Sequence, residues 1–317
     1  MVSGNEPAHR WLMTSEPTTS DATGNSGFLF ALSAYLLWGA LPLFMKLVAH
    51  IPAAEVVAHR ILWSLPIAGV TLLVLGRTAD VKVALRSPRT MLMAAVTAAF
   101  ITCNWGIYVW AISVDRTLET ALGYYINPLL SVAMGAVLLG EKPNRFQLVA
   151  IGLAVLAVLI LAFDAGGLPW VSLALAATFA VYGFLRKTLP IGPSQGFFLE
   201  VLILALPAFA YILWLQAQGH GHFVFSSPGD IGLLLACGPI TAVPLLLYAF
   251  GAKLLKLSTI GLMQYIAPTI IFFIAVFAFD EPFDGVRMTA FGLIWLALAI
   301  YTWSGFFRRP AARQEAA

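Results

Sequence analysis

The sequence predicts an all-α integral membrane protein of ten transmembrane helices, arranged as two five-helix inverted-topology repeats with both termini in the cytoplasm. Three observations predict this fold: an apolar composition, ten apolar runs, and a repeat at an offset of 140 residues. Hydrophobic residues make up 60% of the chain and charged residues only 10%, whereas a soluble domain carries about 25% charged residues. The formal net charge of +3 and the scattered basic residues do not indicate a nucleic-acid partner.

The ten apolar runs have the length of membrane-spanning helices. A helix needs about 20 apolar residues to cross the hydrocarbon core of a bilayer, and runs of that length recur along the whole chain. The connections are short, so we expect no inserted soluble domain. The predicted spans are residues 27–47, 56–75, 91–112, 118–138, 146–163, 168–185, 196–215, 231–250, 259–279 and 286–306.

The Lys and Arg residues predict the orientation. Fourteen of the 18 fall in the N-terminal tail, in the loops after the even-numbered spans and in the C-terminal tail. Cytoplasmic loops carry an excess of these residues, so both termini are predicted to be cytoplasmic. Residues 1–26 are expected to be a disordered tail rather than a signal peptide, because they lack a short apolar stretch with a cleavage site. Residues 307–317 are the predicted C-terminal tail.

The repeat is clearest between residues 118–152 and 258–292. Each copy holds five spans, an odd number, so the second copy must cross the membrane in the opposite direction. Residues 27–163 and 168–306 are therefore predicted to be inverted repeats, whose binding site lies at the repeat interface near the midplane. The identical pairs include Leu122 with Leu262, Tyr125 with Tyr265, Ile126 with Ile266, Pro128 with Pro268, Glu141 with Glu281, and Gly152 with Gly292.

Pro128 and Pro268 fall near the middle of spans four and nine. A proline inside a helix removes one hydrogen bond and frees the carbonyl four residues earlier, here the carbonyls of Tyr124 and Gln264. A freed carbonyl in hydrocarbon must face protein, water or a ligand. The two prolines predict either kinked packing helices or broken helices that face a cavity, and their matched positions favour the cavity.

Polar and aromatic residues recur at helical spacing on several spans. We expect them to line one central, largely uncharged aromatic cavity, although the same pattern also suits packing or an aromatic belt at the membrane interface. The candidate cavity residues are Trp38, Pro42, Asn104, Tyr108, Tyr124, Tyr125, Asn127, Thr178, Tyr182, Thr241, Tyr248, Gln264 and Tyr265.

Ionisable side chains within spans are costly and are candidates for function. Arg60 and Glu119 lie near the starts of spans two and four, so both are expected near the outer surface, where they could pair. The counterpart of Arg60 in the second repeat is Glu200, expected near the cytoplasmic surface with Lys253 and Lys256 as partners. These groups are predicted to gate opposite mouths of the cavity, or to act only as structural tethers.

The sequence lacks the motifs of common enzymes and cofactor sites. HExxH, GxSxG, GxGxxG and the Walker loop are absent, as is a Cys/His cluster with zinc spacing. His220 and His222 in a glycine-rich loop are weak evidence for a metal. We therefore expect no enzymatic activity, no cofactor and no metal.

Five strings of sequence together resemble one family. Over residues 27–306 the chain resembles the RarD-type branch of the EamA family, in the drug/metabolite transporter (DMT) superfamily. The resemblance implies a carrier of the bacterial inner membrane that works by alternating access, generally in efflux. The strings are WGALPLFMKLV (38–48), IPAAEVVAHRILWS (51–64), NWGIYVWAI (104–112), LETALGYYINPLLSVAMGAVLLGEK (118–142) and LSTIGLMQYIAPTIIFFIAVFAFDE (257–281).

The favoured function is secondary transport, in the direction of export, of a small amphipathic or zwitterionic metabolite or drug. The expected partners are that small molecule and membrane lipids, and a monomer suffices to enclose a site. The nearest alternative is a flippase for lipid-linked sugars or lipids, because small relatives in the superfamily do that work. A membrane sensor or scaffold without transport is a second alternative.

Overall fold

The computed structural model describes residues 19–140, 142–164, 166–224, 227–255 and 257–306. Within those ranges the regular structure is helical, without a strand. Nine of the described helices are long and apolar enough to cross a membrane, and a shorter apolar helix spans Trp170–Arg186. An all-helical integral membrane protein is therefore confirmed.

Twelve helices follow one another within the described residues. The first begins at Thr19, inside the stretch predicted as a disordered tail, and α3 lies in a predicted loop. Glu141 and the tail residues 1–18 and 307–317 lie outside the described residues. The helices are α1 (Thr19–Leu47), α2 (Ala53–Val74), α3 (Thr78–Leu85), α4 (Pro88–Ser113), α5 (Thr117–Leu139), α6 (Arg145–Asp164), α7 (Trp170–Thr188), α8 (Pro193–Ala217), α9 (Pro228–Leu254), α10 (Leu257–Met263), α11 (Ile266–Phe273), which continues as a π-helical turn at Ile274–Ala278, and α12 (Gly285–Phe306).

Local sequence sets the ends of the helices that carry the site. Ser87 accepts a hydrogen bond from the backbone N–H of Thr90 at 3.3 Å, and Pro88 occupies the first turn of α4. Serine caps and first-turn prolines are typical of helix starts. Helix α5 ends at Gly140, whose φ of 65° is the left-handed conformation that favours glycine.

Helices of the first half of the chain, α1–α6, pack mainly against helices of the second half, α7–α12. Helix α2 contacts α8 and α9, and α5 contacts α7 and α11. Helices α1, α4 and α6 contact α9, α7 and α12, respectively. One large cluster of buried apolar side chains extends through most of these contacts. The core of the protein therefore lies between the two sequence halves.

Two glycines allow close contacts between these helices. A Cβ atom on Gly238 of α9 would collide with the backbone of Trp63 in α2, and one on Gly123 of α5 would lie 2.8 Å from the carbonyl oxygen of Ser172 in α7. Small residues let transmembrane helices approach closely. The close crossing of α2 and α9 brings the polar side chains of both helices together.

The two central prolines have different effects on their helices. The ninth span is interrupted at Gln264 and Tyr265, between α10 and α11, at the carbonyl that Pro268 leaves free. Helix α5 instead continues through Pro128. The predicted pair of broken helices is therefore corrected to one. Pro128 removes one backbone hydrogen bond from α5. The packing of α5 against α7 and α11 keeps the helix continuous despite that loss.

Candidate functional site

Two ends of the bundle frame the candidate site. We call the end where α1 ends and α2 begins the Ile51 end, and the end where α2 ends the Gly76 end. Helices α5, α9 and α12 begin at the Ile51 end, and α8 and α10 begin at the Gly76 end. The charge pattern of the sequence predicts that the Ile51 end faces outward.

Arg60 lies at the crossing of α2 and α9 and is only 4% exposed. Its Nε donates a hydrogen bond to Oγ1 of Thr241 at 2.9 Å. The guanidinium carbon lies 4.7 Å from the centre of the Trp105 ring in α4. Its Nη1 atom is buried and has no hydrogen-bond partner among the described residues. Arg60 therefore reaches the interface between the two halves of the chain.

Asn104 connects α4 to two neighbouring helices. Its Nδ2 donates hydrogen bonds to the carbonyl oxygen of Leu175 at 3.0 Å and to Oγ1 of Thr178 at 2.9 Å, both on α7. Its Oδ1 accepts a hydrogen bond from the hydroxyl of Tyr124 in α5 at 3.4 Å. Because Asn104 is 1% exposed, these bonds fix its side chain between the two halves.

Two tyrosines join Asn104 to the environment of Arg60. The rings of Tyr108 and Tyr124 lie 5.9 Å apart, and Tyr108 lies one turn after Trp105, whose ring contacts the guanidinium. The hydroxyl of Tyr108 is buried without a hydrogen-bond partner in the described part of the chain. We call this set the central cluster: Arg60, Asn104, Trp105, Tyr108, Tyr124, Thr178 and Thr241.

A second aromatic group lies between α1 and α9. The ring centre of Trp38 is 5.6 Å from that of Tyr35 and 5.5 Å from that of Tyr248. The hydroxyl of Tyr35 donates a hydrogen bond to the carbonyl oxygen of Ile260 in α10 at 3.5 Å. Pro42, one turn after Trp38, is also buried. This group packs α1 against the interrupted ninth span.

A cavity of about 460 Å³ lies between α5, α11 and α12 and includes Tyr125 and Tyr265. The hydroxyls of Tyr125 and Thr269 share a hydrogen bond of 2.7 Å. Two of the lining residues, Phe273 and Trp303, are 52% and 62% exposed on the outside of the bundle. Since these helices cross the membrane, we call this space the lateral cavity.

The predicted cavity residues are thus distributed over the central cluster, the α1–α9 aromatic group and the lateral cavity. Asn127 and Gln264 are half-buried. Gln264 interacts with Tyr265 beside the lateral cavity, and Oδ1 of Asn127 has no hydrogen-bond partner among the described residues. Tyr182 contacts Glu200 near the Gly76 end. Sequence spacing assigned residues to helix faces, but the packing of the helices decides which faces meet.

Polar contacts join the two halves at the Ile51 end. Nε2 of His50 lies 2.9 Å from Oδ1 of Asp230 at the start of α9. The carboxylate of Glu55 accepts the backbone N–H of His222 at 2.8 Å and contacts its Nδ1 at the same distance. Glu55 is fully buried. The sequence reasoning missed this role of Glu55, because no motif indicates which loop covers the start of α2.

Glu281 forms a further connection at the Ile51 end. Its two carboxylate oxygens accept the backbone N–H groups of Thr117 and Leu118 at 2.6 and 2.8 Å. These groups belong to the first turn of α5, where free N–H donors and the helix dipole favour a negative charge. The sequence located Glu281 at the end of span nine but did not indicate this partner.

The predicted pair of Arg60 and Glu119 is wrong. Glu119 accepts hydrogen bonds from Nε and Nη2 of Arg116 at 2.5 and 2.9 Å. The guanidinium of Arg116 also lies 5.3 Å from the centre of the Trp170 ring. Arg116 lies three residues before Glu119, at the start of the same helix, and is therefore close enough to pair with it. Arg60 instead bonds to Thr241.

The described partners of Glu200 include Arg186 and Tyr182, whereas the predicted partners Lys253 and Lys256 stay untested. Its Oε1 lies 3.3 Å from Nη1 of Arg186 at the end of α7, and its Oε2 accepts a hydrogen bond from Tyr182 at 3.2 Å. Lys256 lies outside the described residues, as does the side chain of Lys253. Two features of the sequence could have indicated Arg186. It matches another basic residue, Lys46, at the repeat offset of 140 residues. It also lies on α7, the helix that directly precedes α8, which carries Glu200.

Polar contacts also join the halves at the Gly76 end, where Glu200 of α8 interacts with Thr97 of α4. Nε2 of Gln195 donates a hydrogen bond to Oδ2 of Asp80 at 2.9 Å, which joins α8 to α3. The pair of Arg186 and Glu200 lies within the second half. In the described part of the chain, no group of three or more His, Cys, Asp or Glu could hold a metal ion.

Comparison with known proteins identifies related chains. The EamA-like transporter family model matches residues 25–163. Protein RarD of Streptomyces exfoliatus is 43% identical over 92% of this chain and 93% of its own length. The uncharacterized transporter YojE of Bacillus subtilis is 38% identical over 89% of this chain and 95% of its own length. One crystal structure, at 21% identity, covers 88% of this chain and 97% of that chain with a TM-score of 0.58, which shows a shared fold alone.

Proposed function

Because the chain belongs to the RarD-type branch of the EamA-like transporter family, and is thus a multi-pass membrane transporter, we propose that it is a secondary transporter working by alternating access. It exports a small amphipathic or zwitterionic molecule across the bacterial inner membrane. Relatives named as transporters support this proposal. The chain itself provides the physical reasons that follow.

The pattern of helix contacts supports two inverted five-helix repeats. Contacts of α1 with α9 and with α11 have counterparts in those of α7 with α4 and with α5. The contact of α2 with α9 likewise corresponds to that of α8 with α4. The pairs α2–α8, α5–α11 and α6–α12 each join equivalent helices. A pseudo-two-fold axis in the membrane plane gives this pattern, and Trp170–Arg186 is then the sixth of ten spans.

The observation that carries alternating access is the unequal closure of the two ends. At the Ile51 end, His50, Glu55 and Glu281 each bond to the opposite half. At the Gly76 end, the described contacts of this kind include those of Gln195 with Asp80 and of Glu200 with Thr97. With both termini cytoplasmic, the conformation is closed outward. Breaking the outer contacts and closing the inner end would expose the central cluster to the other side.

The test is a substrate screen followed by a flux measurement. Purified protein is screened by thermal shift against amino acids, vitamins and antibiotics, and each hit is tested for movement into proteoliposomes. We expect flux that falls when Trp38, Asn104, Asn127 or Gln264 is replaced by Ala. If none of the four variants changed the flux, the proposed cavity would be contradicted. Binding without flux would instead favour a sensor or scaffold.

The lateral cavity favours a second candidate function, a lipid or lipid-linked sugar flippase. Its aromatic lining opens between helices toward the space that lipid occupies, and Trp295 of α12 is 41% exposed there. Proteoliposomes containing a fluorescent phospholipid or a polyprenyl-phosphate sugar test this candidate. Accelerated movement of the label between leaflets, reduced in Trp295→Ala, supports the flippase. Unchanged movement alongside flux of a soluble molecule eliminates it.

A further inference from the structure

Arg60 is a buried cation without an anionic partner in the described part of the chain. A guanidinium stays charged in proteins, and this one is 4% exposed. The ion pairs of the described residues do not include it. Its Nε donates a hydrogen bond to Oγ1 of Thr241 at 2.9 Å, and its guanidinium carbon lies 4.7 Å from the centre of the Trp105 ring. Its Nη1 has no hydrogen-bond partner in the described part of the chain.

A purely structural role does not explain this arrangement. Burying a charge away from water is strongly unfavourable unless it is paired, and one neutral hydroxyl and one ring offset only part of the loss. An apolar side chain of similar size would fill the same crossing of α2 and α9 more favourably. A charge retained inside a membrane bundle without a partner is typical of a ligand site.

We propose that Arg60 binds the carboxylate group of the transported molecule. This inference rests on the proposed function and deepens it, because it defines the substrate as a carboxylic acid or a zwitterion with a free carboxylate. The bond from Nε to Thr241 fixes the plane of the guanidinium. A planar carboxylate matches the remaining N–H donors with a bidentate geometry.

Tyr108 provides the second polar contact for that carboxylate. Its hydroxyl is buried and has no hydrogen-bond partner among the described residues, and Tyr108 lies one turn after Trp105, whose ring Arg60 contacts. The rings of Trp105, Tyr108 and Tyr124 supply apolar surface for the rest of a small molecule. A carboxylate carries one negative charge and neutralises Arg60. A phosphate monoester carries close to two negative charges and would leave an excess of buried negative charge.

The experiment measures binding by thermal shift and calorimetry with purified, full-length protein in detergent. The probes are benzoate, phenylacetate, indole-3-acetate, glycine, leucine and phenylalanine, each beside its primary amide, together with phenyl phosphate. We expect at least one carboxylate to bind about tenfold or more tightly than its amide. The inference is overturned if no carboxylate binds, if the amides bind equally well, or if phenyl phosphate binds most tightly.

Variants test whether Arg60 causes the tighter binding of the carboxylate than of its amide. Arg60→Gln should abolish the advantage of the carboxylate over the amide, and Arg60→Lys should retain part of it. Arg116→Gln is the matched control, because Arg116 also contacts a tryptophan ring but is paired with Glu119. Tyr108→Phe removes one hydroxyl and should weaken carboxylate binding about fivefold with little effect on the amide. This milder variant decides the question if Arg60→Gln does not fold.

Flux measurements separate this inference from the proposed function. Carboxylate binding that depends on Arg60, without movement into proteoliposomes, would leave the site intact and contradict transport. Movement of neutral molecules at a rate that Arg60→Gln does not change would leave transport intact and contradict the assigned role of Arg60.

Discussion

The carboxylate of Glu281, at the end of the ninth span, accepts the backbone N–H of Thr117, at the start of α5, at 2.6 Å. Its second oxygen accepts the next N–H, that of Leu118, at 2.8 Å. One side chain of the second half thus caps a helix of the first. Because that helix carries Tyr124, the contact links closure of the Ile51 end to the central cluster.

Glu281→Gln should loosen the Ile51 end. The neutral amide has one acceptor oxygen instead of two and loses the attraction to the helix N-terminus, so we expect a loss of about 1–3 kcal/mol in the stability of the closed state. The buried thiol of Cys237, beside Arg60, is the reporter. In a Cys103→Ser background, alkylation of Cys237 by a water-soluble maleimide should become faster.

Asp280→Asn is the control for the change at Glu281. Asp280 is the preceding residue, is exposed, and has a φ of 52°, a conformation that Asn tolerates. The alkylation rate of Cys237 should stay at that of the Cys103→Ser parent. Equal rates in Glu281→Gln and the parent would mean that this contact does not hold the end closed.

Reversing Arg60 and Glu119 together should not restore what either reversal removes. Arg60 bonds to Thr241, and Glu119 bonds to Arg116. In a double-mutant cycle on unfolding in SDS, Arg60→Glu with Glu119→Arg should therefore give a coupling free energy within about 0.5 kcal/mol of zero. Rescue beyond that margin would show that the two residues meet in another conformation.

Removing Arg186 should be more damaging than removing both partners of its ion pair. Glu200 is 2% exposed on its side chain, and an unpaired buried carboxylate costs about 3 kcal/mol or more. Arg186→Ala should therefore lower the unfolding midpoint further than Arg186→Ala with Glu200→Gln. Arg89→Ala, an exposed residue near the same end, is the control. Additive effects of the two changes would contradict a direct interaction.

The apolar runs predicted an all-helical membrane protein, and nine apolar helices in the described part of the chain are long enough to cross a membrane. The offset of 140 residues relates Pro128 to Pro268, and the helices that hold them, α5 and α11, are in contact. The effect of each proline was less predictable. Whether a missing hydrogen bond interrupts a helix depends on the packing around it, and that packing supports α5 but leaves a turn at Gln264.

The candidate site was only partly predictable for a related reason. Helical spacing correctly put Asn104 and Tyr108 on one face of α4, since both are buried there. It gave Arg60 the wrong neighbour, Glu119, because the residue that Arg60 does contact, Thr241, is 181 residues away in sequence. The partners of Glu55 and Glu281 come from loops and helix ends, where no periodic pattern exists.

Gly238→Ala should separate α2 from α9 and thereby disturb Arg60. The added methyl group would collide with the backbone of Trp63, which cannot rotate away as a side chain could. Overpacking of this kind costs about 1–3 kcal/mol, so unfolding in SDS should begin at a lower concentration. Gly232→Ala on the same helix is the control, because a Cβ there meets nothing within 4 Å. If the two variants were equally stable, α2 and α9 would not cross as closely as the position of Arg60 beside Thr241 requires.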